Sequence, residues 1–297
     1  MTAKLLDGRV VAERIRSKIK TRIRDLAGSI VRPYLVTILV GDDLASRAYL
    51  KNNQVACGEV GIKFRDVVLD VKTPQNELER IIGELNEDET VTAILLHLPL
   101  PGGLSETASI SALAKEKDVD GLNPCNLGLL MHRATALVPC TPNGIIVLLK
   151  SYNVTIAGKH IVLINRSKPV GRPLSQLLLN EDATVTVCHS KTQDLVAIAG
   201  TADILITGIG RRNEFTVGSN MIKPGAVVVD VGTSSVAGRI FGDVDFEAAL
   251  TTASYVTPVP GGVGPMTTCM LLYNSLLAAC LQSHVEMVLG IHDLAAA

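Results

Sequence analysis

The chain has no tryptophan, and only 3% of its residues are aromatic. Few rings are available on which nucleic-acid bases could stack. There is no sustained basic block, and the formal net charge is −1, so the electrostatic signature of a nucleic-acid partner is missing too. The six cysteines, at 57, 125, 140, 188, 269 and 280, are scattered without a C-x-x-C pair. They read as reduced thiols of a cytoplasmic protein, not as a disulfide framework or a metal site. The N-terminal MTAKLLDGRV lacks a signal-peptide apolar region. The longest apolar runs look broken by Gly, Pro or charge before membrane-spanning length, so no membrane partner is expected. Also absent is the G-x-G-x-x-G fingerprint of dinucleotide binding.

What is present is a 297-residue chain, 47% hydrophobic, with room for two domains. One stretch organises it. His160–Ile164 is a short apolar, β-branched run that reads as a buried parallel strand. A tight turn, Asn165-Arg166-Ser167-Lys168-Pro169-Val170-Gly171, leads into Leu174, Leu177 and Leu178 at helical spacing. A strand, a small-residue turn and a helix present backbone N–H groups and a helix N-terminus to a phosphate. An ordinary βα connection would have the same pattern.

Around it the chain alternates strands and helices, which predicts an α/β fold with parallel sheets. Helices are expected over 7–27, 44–59, 74–86 (Pro74 at the first helical position), 145–152, 170–179, 192–199, 245–250 and 266–281. Strands are expected over 34–40, 62–69, 92–98, 160–164, 184–188, 203–207 and 226–231. Residues 115–126 read as a loop, and the tail from 284 as at most a short helix. Within residues 7–27, Arg14, Arg16, Lys18, Lys20, Arg22 and Arg24 stand between apolar positions, which fits the solvated face of an amphipathic helix. The break at 139–144 divides the chain into residues 1–140 plus 266–297 and residues 141–265.

Several motifs coincide in order. Val40-Gly41-Asp42-Asp43 leads to Ser46-x-x-Tyr49, and Leu98-Pro99-Leu100-Pro101 follows a strand. Lys117-Asp118-Val119-Asp120-Gly121 precedes Pro139-Cys140-Thr141-Pro142, and Arg166-Ser167 leads to Val170-Gly171-Arg172-Pro173. Pro258-Val259-Pro260-Gly261-Gly262-Val263-Gly264-Pro265-Met266-Thr267 closes the set. Over residues 5 to about 283 the chain resembles the methylenetetrahydrofolate dehydrogenase/cyclohydrolase family. The resemblance implies a folate-binding α/β domain, a Rossmann-like doubly wound NADP domain, a cleft between them and a homodimer. It also implies oxidation of 5,10-methylenetetrahydrofolate with NADP, followed in most members by hydrolysis to 10-formyltetrahydrofolate.

Ser46, Tyr49 and Asn53 are spaced to share one helix face. By resemblance Tyr49 packs on the folate ring system, Asp120 grips the pterin edge, and Leu98, Pro99, Pro260, Gly261 and Gly262 line the substrate. The glycines there suit a close backbone approach. The family has lysine where this chain has Asn53, and an asparagine amide does not titrate near neutral pH. Lys51 lies about 200° around the helix from Tyr49 and is expected to face away. The family usually has glutamine where this chain has His97, a residue that titrates near neutrality. Either the pair has drifted because hydrolysis is dispensable or supplied by another protein, which is the preferred reading, or His97 takes over proton transfer. Cys140 has no evident histidine partner and reads as structural.

On the cofactor side the resemblance gives Arg166, Ser167 and Ser190 to the 2′-phosphate of NADP. Gly171 lies at the turn, Thr207, Gly208, Gly232 and Thr233 on the nicotinamide side, and Thr267 nearby. No acidic residue closely follows the strand ending at Cys188, where enzymes using NAD often place one. Asn165 takes the place of a usual glycine and is expected to keep the turn by tolerating a left-handed backbone, with its side chain crowding the phosphates. The leading function is an NADP-dependent dehydrogenase with weak or lost cyclohydrolase activity. The alternatives are the full bifunctional enzyme, a catalytically silent folate-binding paralogue, and a dehydrogenase of similar plan acting on an amino or hydroxy acid.

Overall fold

The computed structural model describes residues 2–42, 44–134, 137–287 and 289–296, so Asp43 of the expected Val40–Asp43 turn lies outside the described residues. The elements begin with β1 (Lys4–Leu5), α1 (Gly8–Asp25), β2 (Tyr34–Val40), α2 (Leu44–Val60), β3 (Lys63–Leu69) and α3 (Gln75–Glu87). They continue with β4 (Ala93–Leu96), α4 (Glu106–Ala112), α5 (Pro124–Met131), α6 (Cys140–Ser151), β5 (His160–Ile164), α7 (Gly171–Asn180) and β6 (Thr184–Cys188). Then come α8 (Leu195–Ala199), β7 (Ile204–Thr207), β8 (Val227–Asp230), β9 (Ser234–Val236), β10 (Arg239–Phe241) and α9 (Phe246–Thr252). The chain closes with β11 (Tyr255–Val256), α10 (Val263–Gln282) and α11 (Ile291–Ala295).

Two compact units result. The first holds Arg14–Cys140 and Thr268–Gly290, and the second holds Met1–Glu13, Thr141–Thr267 and Ile291–Ala297. The expected division placed residues 1–13 with the first unit. They sit in the second because Lys4 and Leu5 pair in parallel with Tyr255 and Val256, and Ala3 packs into that unit's core.

The first unit is built on a three-stranded parallel sheet, order β3-β2-β4. β2 (YLVTILV) is buried at every position, as a central strand covered on both faces must be. Val36, Ile38 and Val40 pack with Leu78, Ile82 and Leu85 of α3. Each such side chain contributes about 1.5–3 kcal/mol on burial. The chain moves from β2 to β3 through α2 and back across β2 to β4 through α3. Right-handed crossovers therefore put the two helices on opposite faces. Leu35, Thr37 and Leu39 face the α2 side, and so does Leu95, which is paired with Thr37.

The second unit carries a six-stranded parallel sheet, order β1-β11-β8-β7-β5-β6. β5, β7 and β8 are almost entirely buried. The strand order reverses between β5 and β7, the switch point at which doubly wound sheets receive ligands.

Some local expectations change. Pro74 is the extended N-cap of α3 and not its first helical residue. The segment 115–126 is not all loop, because Asn123 caps a helix that starts at Pro124. α4, capped by Ser105, is an addition, as are the β9–β10 hairpin and the two-residue strands β1 and β11. The longest apolar stretch was expected to fall short of a membrane span. Val263–Gln282 is instead long and apolar enough by composition, and 72% of its most apolar window is buried inside the protein, as in a core helix.

Candidate active site

In the first unit, α2 presents Tyr49 and Asn53 one turn apart, toward the sheet face that carries Thr37. Asn53 is fully buried, and neither amide atom meets hydrogen-bond geometry with a described group. Lys51 is exposed. His97 follows β4, buried, with its ring edge-on to Tyr49 at 5.6 Å between centroids. Burial pushes the Tyr49 hydroxyl above its ordinary range, the charges of Asp120 and Cys140 push it further, and Asn53 opposes them. At neutral pH Tyr49 is therefore a protonated donor. Ser46 is half-buried on the same helix, one turn before Tyr49. Leu98 and Pro99, joined by a cis peptide bond, follow His97, with Leu98 packed against the α3 core and Pro99 exposed.

Asp120 sits in a loop held from several sides. Lys117 turns its ammonium onto three carbonyls, Leu85 at 3.1 Å, Asn86 at 2.7 Å and Asp88 at 2.8 Å, and so closes the C-terminal end of α3. Asp118 accepts from Asn123 N at 2.7 Å and Asn126 Nδ2 at 3.1 Å. Asn274, midway along α10, donates to Val119 O and Val138 O, each at 2.8 Å. Between these anchors burial, and then the Asp118 charge, raise the Asp120 carboxyl to about 7. The Cys140 thiol donates to Val119 O at 3.2 Å and is pushed well up by burial and by both carboxylates, which suits a structural thiol and not a nucleophile.

The second unit carries the remaining candidates. Val259-Pro260 is cis. Arg9 Nη2 donates to Pro260 O at 2.8 Å, and Gly8 N donates to Gly261 O at 2.9 Å. A Cβ on Gly8 or Gly261 would overlap its neighbours across the contact, so these two glycines let the N-terminal segment and the 258–262 turn lie against each other, and one on Gly262 would overlap Pro258 and Thr257 within the turn. Thr267 shares a 2.9 Å hydroxyl contact with Thr141.

At the carboxyl end of the large sheet, Ile164 and Cys188 are register partners, so Arg166, Ser167 and Ser190 leave adjacent strand ends and are all exposed. The Ser167 hydroxyl accepts from Val170 N and Gly171 N, both at 3.3 Å, and opens α7. Asn165 differs from expectation. Positive φ among described non-glycine residues is confined to Arg133, Asn153, Asp182, Asp194, Ala237 and His284. Asn165 keeps the turn with its side chain instead: Oδ1 accepts from Ser167 N at 2.6 Å and Nδ2 donates to Gly208 O. A side chain occupied in this way is turned to the neighbouring loop rather than left to crowd a phosphate.

Thr207 and Gly208 end β7, while Gly232 and Thr233 follow β8. Two buried carboxylates organise them. Asp243 accepts from Thr207 Oγ1 at 3.0 Å, Ile209 N at 2.6 Å and Gly210 N at 2.9 Å. Asp230 accepts from Gly232 N at 2.9 Å, Asp243 N at 3.0 Å and Val244 N at 2.8 Å. Burial raises the Asp230 carboxyl to about 6. A Cβ on Gly232 would overlap the Asp243 carboxylate, and one on Gly242 that of Asp230. Sequence reasoning missed this pair, although Asp243 and Asp245 alternate just after Gly242. It also missed Asn274, whose signal is an amide in the middle of a largely apolar helix.

The sequence matches two family models: the tetrahydrofolate dehydrogenase/cyclohydrolase catalytic domain over residues 6–120, and that family's NAD(P)-binding domain over residues 139–283. It is 47% identical over 285 residues to a bifunctional protein FolD of Nitrosopumilus maritimus, covering 96% of this chain and 99% of that one. The fold superposes with a TM-score of 0.90 on the FolD methylenetetrahydrofolate dehydrogenase/cyclohydrolase of Campylobacter jejuni, at 42% identity over 93% of this chain and 98% of that one. The Trypanosoma brucei enzyme, solved with NADP cofactor and an inhibitor, gives a TM-score of 0.89 at 38% identity, covering 94% of this chain and 97% of that one. The chain belongs to the tetrahydrofolate dehydrogenase/cyclohydrolase family.

Proposed function

We propose that the protein oxidises 5,10-methylenetetrahydrofolate to the 5,10-methenyl form with NADP, in one-carbon metabolism, and that its cyclohydrolase activity is weak or lost. Asn53 carries the second half of this reading. It is a fully buried amide one turn from Tyr49, with nothing to titrate near neutral pH.

The cofactor domain fits NADP at two points. Arg166, Ser167 and Ser190 gather a forked cation and two hydroxyls at adjacent strand ends, which suits a dianionic 2′-phosphate. Gly171, Gly208 and Gly232 let the turns around the sheet's carboxyl end pack closely on Asn165 and Asp243, which fixes the backbone that a dinucleotide would meet. NADP, when bound, supplies the hydride acceptor. Asp120, ionised above its raised range, accepts two N–H bonds from the pterin edge and orients it, and Tyr49 stacks on the ring system. Hydride transfer asks chiefly for this alignment. Water addition to the methenyl carbon also asks for proton transfers. Asn53 makes none, and the burial-raised Tyr49 hydroxyl is no base at neutral pH.

A second reading has two observations in its favour. Relatives of nearly half-identical sequence are named bifunctional, and His97 packs directly against Tyr49. On that reading His97 moves the proton and the protein completes the hydrolysis. The first test supplies methylenetetrahydrofolate with NADP or NAD and follows reduced nicotinamide. Turnover favouring NADP is expected, and silence with both would defeat the dehydrogenase reading. In the second reading, His97→Gln abolishes methenyl hydrolysis.

A further inference from the structure

Asn165 stands between two loops that, on the reading above, meet different ends of the cofactor. Its amide oxygen takes Ser167 N, beside Arg166, and its amide nitrogen donates to Gly208 O at the end of β7. β5 and β7 flank the reversal of strand order, so this amide spans the switch point itself. Gly208 is held from its other side as well, because Ile209 N, Gly210 N and Thr207 Oγ1 all end on the buried Asp243 carboxylate. A Cβ on Gly208 would stand 2.9 Å from Asn165 Nδ2, and one on Gly171 would overlap Asn165. The two loops are thus packed and hydrogen-bonded through one side chain, and neither shifts without the other.

We propose that Asn165 is a specificity-positioning residue, which ties the loop that holds the 2′-phosphate to the loop beside the nicotinamide. The inference rests on the NADP reading above. If exposed Arg166, Ser167 and Ser190 alone recognised the phosphate, the extra group of NADP would change binding and nothing else. Through Asn165, a phosphate that orders residues 166–167 also fixes Gly208. NADP is then preferred over NAD in kcat as well as in affinity, and the adenosine and nicotinamide halves bind cooperatively.

Two variants separate these cases. Asn165→Asp keeps the acceptor for Ser167 N and loses the donor to Gly208 O, whereas Asn165→Gly loses both. The binding arm uses fragments of the cofactor on the full chain: NMNH affinity, read by nicotinamide fluorescence, with and without saturating 2′,5′-ADP. In the wild type 2′,5′-ADP should tighten NMNH binding by about fivefold or more, the usual range for coupled sites, and in both variants by less than about twofold. The kinetic arm compares kcat for NADP and NAD, a ratio that should fall toward one in the variants while the affinity for 2′,5′-ADP stays within about threefold. Equal tightening in wild type and Asn165→Asp would overturn the proposal, as would no tightening in the wild type. Absence of turnover with both cofactors would defeat the functional reading instead, and the binding arm would still decide the coupling.

Discussion

Two clusters of buried polar groups, one in each unit, are treated in opposite ways. At the carboxyl end of the second unit's sheet the buried carboxylates close on protein groups, Asp243 on three donors and Asp230 on three, and Asn165 ties two loops. In the first unit the Asn53 amide and the Thr37 hydroxyl are fully buried on one side of the sheet; Asn53 touches only the Tyr49 hydroxyl electrostatically, and Thr37 has no hydrogen-bond partner among the described residues. A closed network holds its loops in register with one another, which suits the placing of a cofactor. Open buried groups lower stability and are completed by what binds.

Substitutions can break this contrast. Asp243→Ala strands a hydroxyl and two amides and should destabilise the protein by about 3 kcal/mol or more in urea unfolding; a loss under about 1 kcal/mol would mean the network is not closed. Lys117→Met keeps the packing of the stem and removes the ammonium from three carbonyls at the end of α3. It should cost about 1–3 kcal/mol by the same measurement.

The pH dependence sharpens the first-unit side. Burial first raises the Asp120 carboxyl to about 7, and on the proposed reading it holds the pterin only when ionised. Activity is therefore present above pH 7, and kcat/KM for the folate should fall about tenfold per unit as pH drops below it. The sign for folding is opposite. A carboxyl raised in the folded state contributes stability that is full below its unfolded value near 4 and is lost as pH climbs toward 7. A flat kcat/KM profile between pH 5 and 7 would remove Asp120 from the pterin. The smallest effect is expected at Thr37. Thr37→Val replaces an unpartnered hydroxyl by a methyl and should leave thermal stability unchanged or raise it by up to about 1 kcal/mol. A clear loss would show that the hydroxyl is paired.

The legible parts of the molecule were those with a strong local pattern. β2, β5, β7 and β8 are apolar runs bounded by turns, and the alternation with helices was enough to imply parallel sheets. The residues that failed to announce themselves act through distant partners. β1 and β11 are two residues long and exist only because they pair with each other and with β8. Pro74 is compatible with either of two adjacent helix positions, and packing chose the earlier one. Asn165 was legible as an anomaly, but its solution was not, because Gly208 lies forty-three residues away. Asp243 is a further thirty-five residues along from Gly208, and nothing local marks its three donors. Of the candidate site, residue types and order were visible in the motifs, whereas the supports of Asp120 at Lys117, Asp118 and Asn274 needed the fold.

On the proposed reading, an amide at position 53 leaves oxidation intact and hydrolysis crippled. The most direct measurement is the decay of 5,10-methenyltetrahydrofolate above buffer background, for wild type beside Asn53→Lys. The account predicts decay near background in the wild type and a rise of at least about tenfold in Asn53→Lys, the low end of what a placed acid or base supplies. Rapid decay in the wild type, unchanged by the lysine, would contradict it.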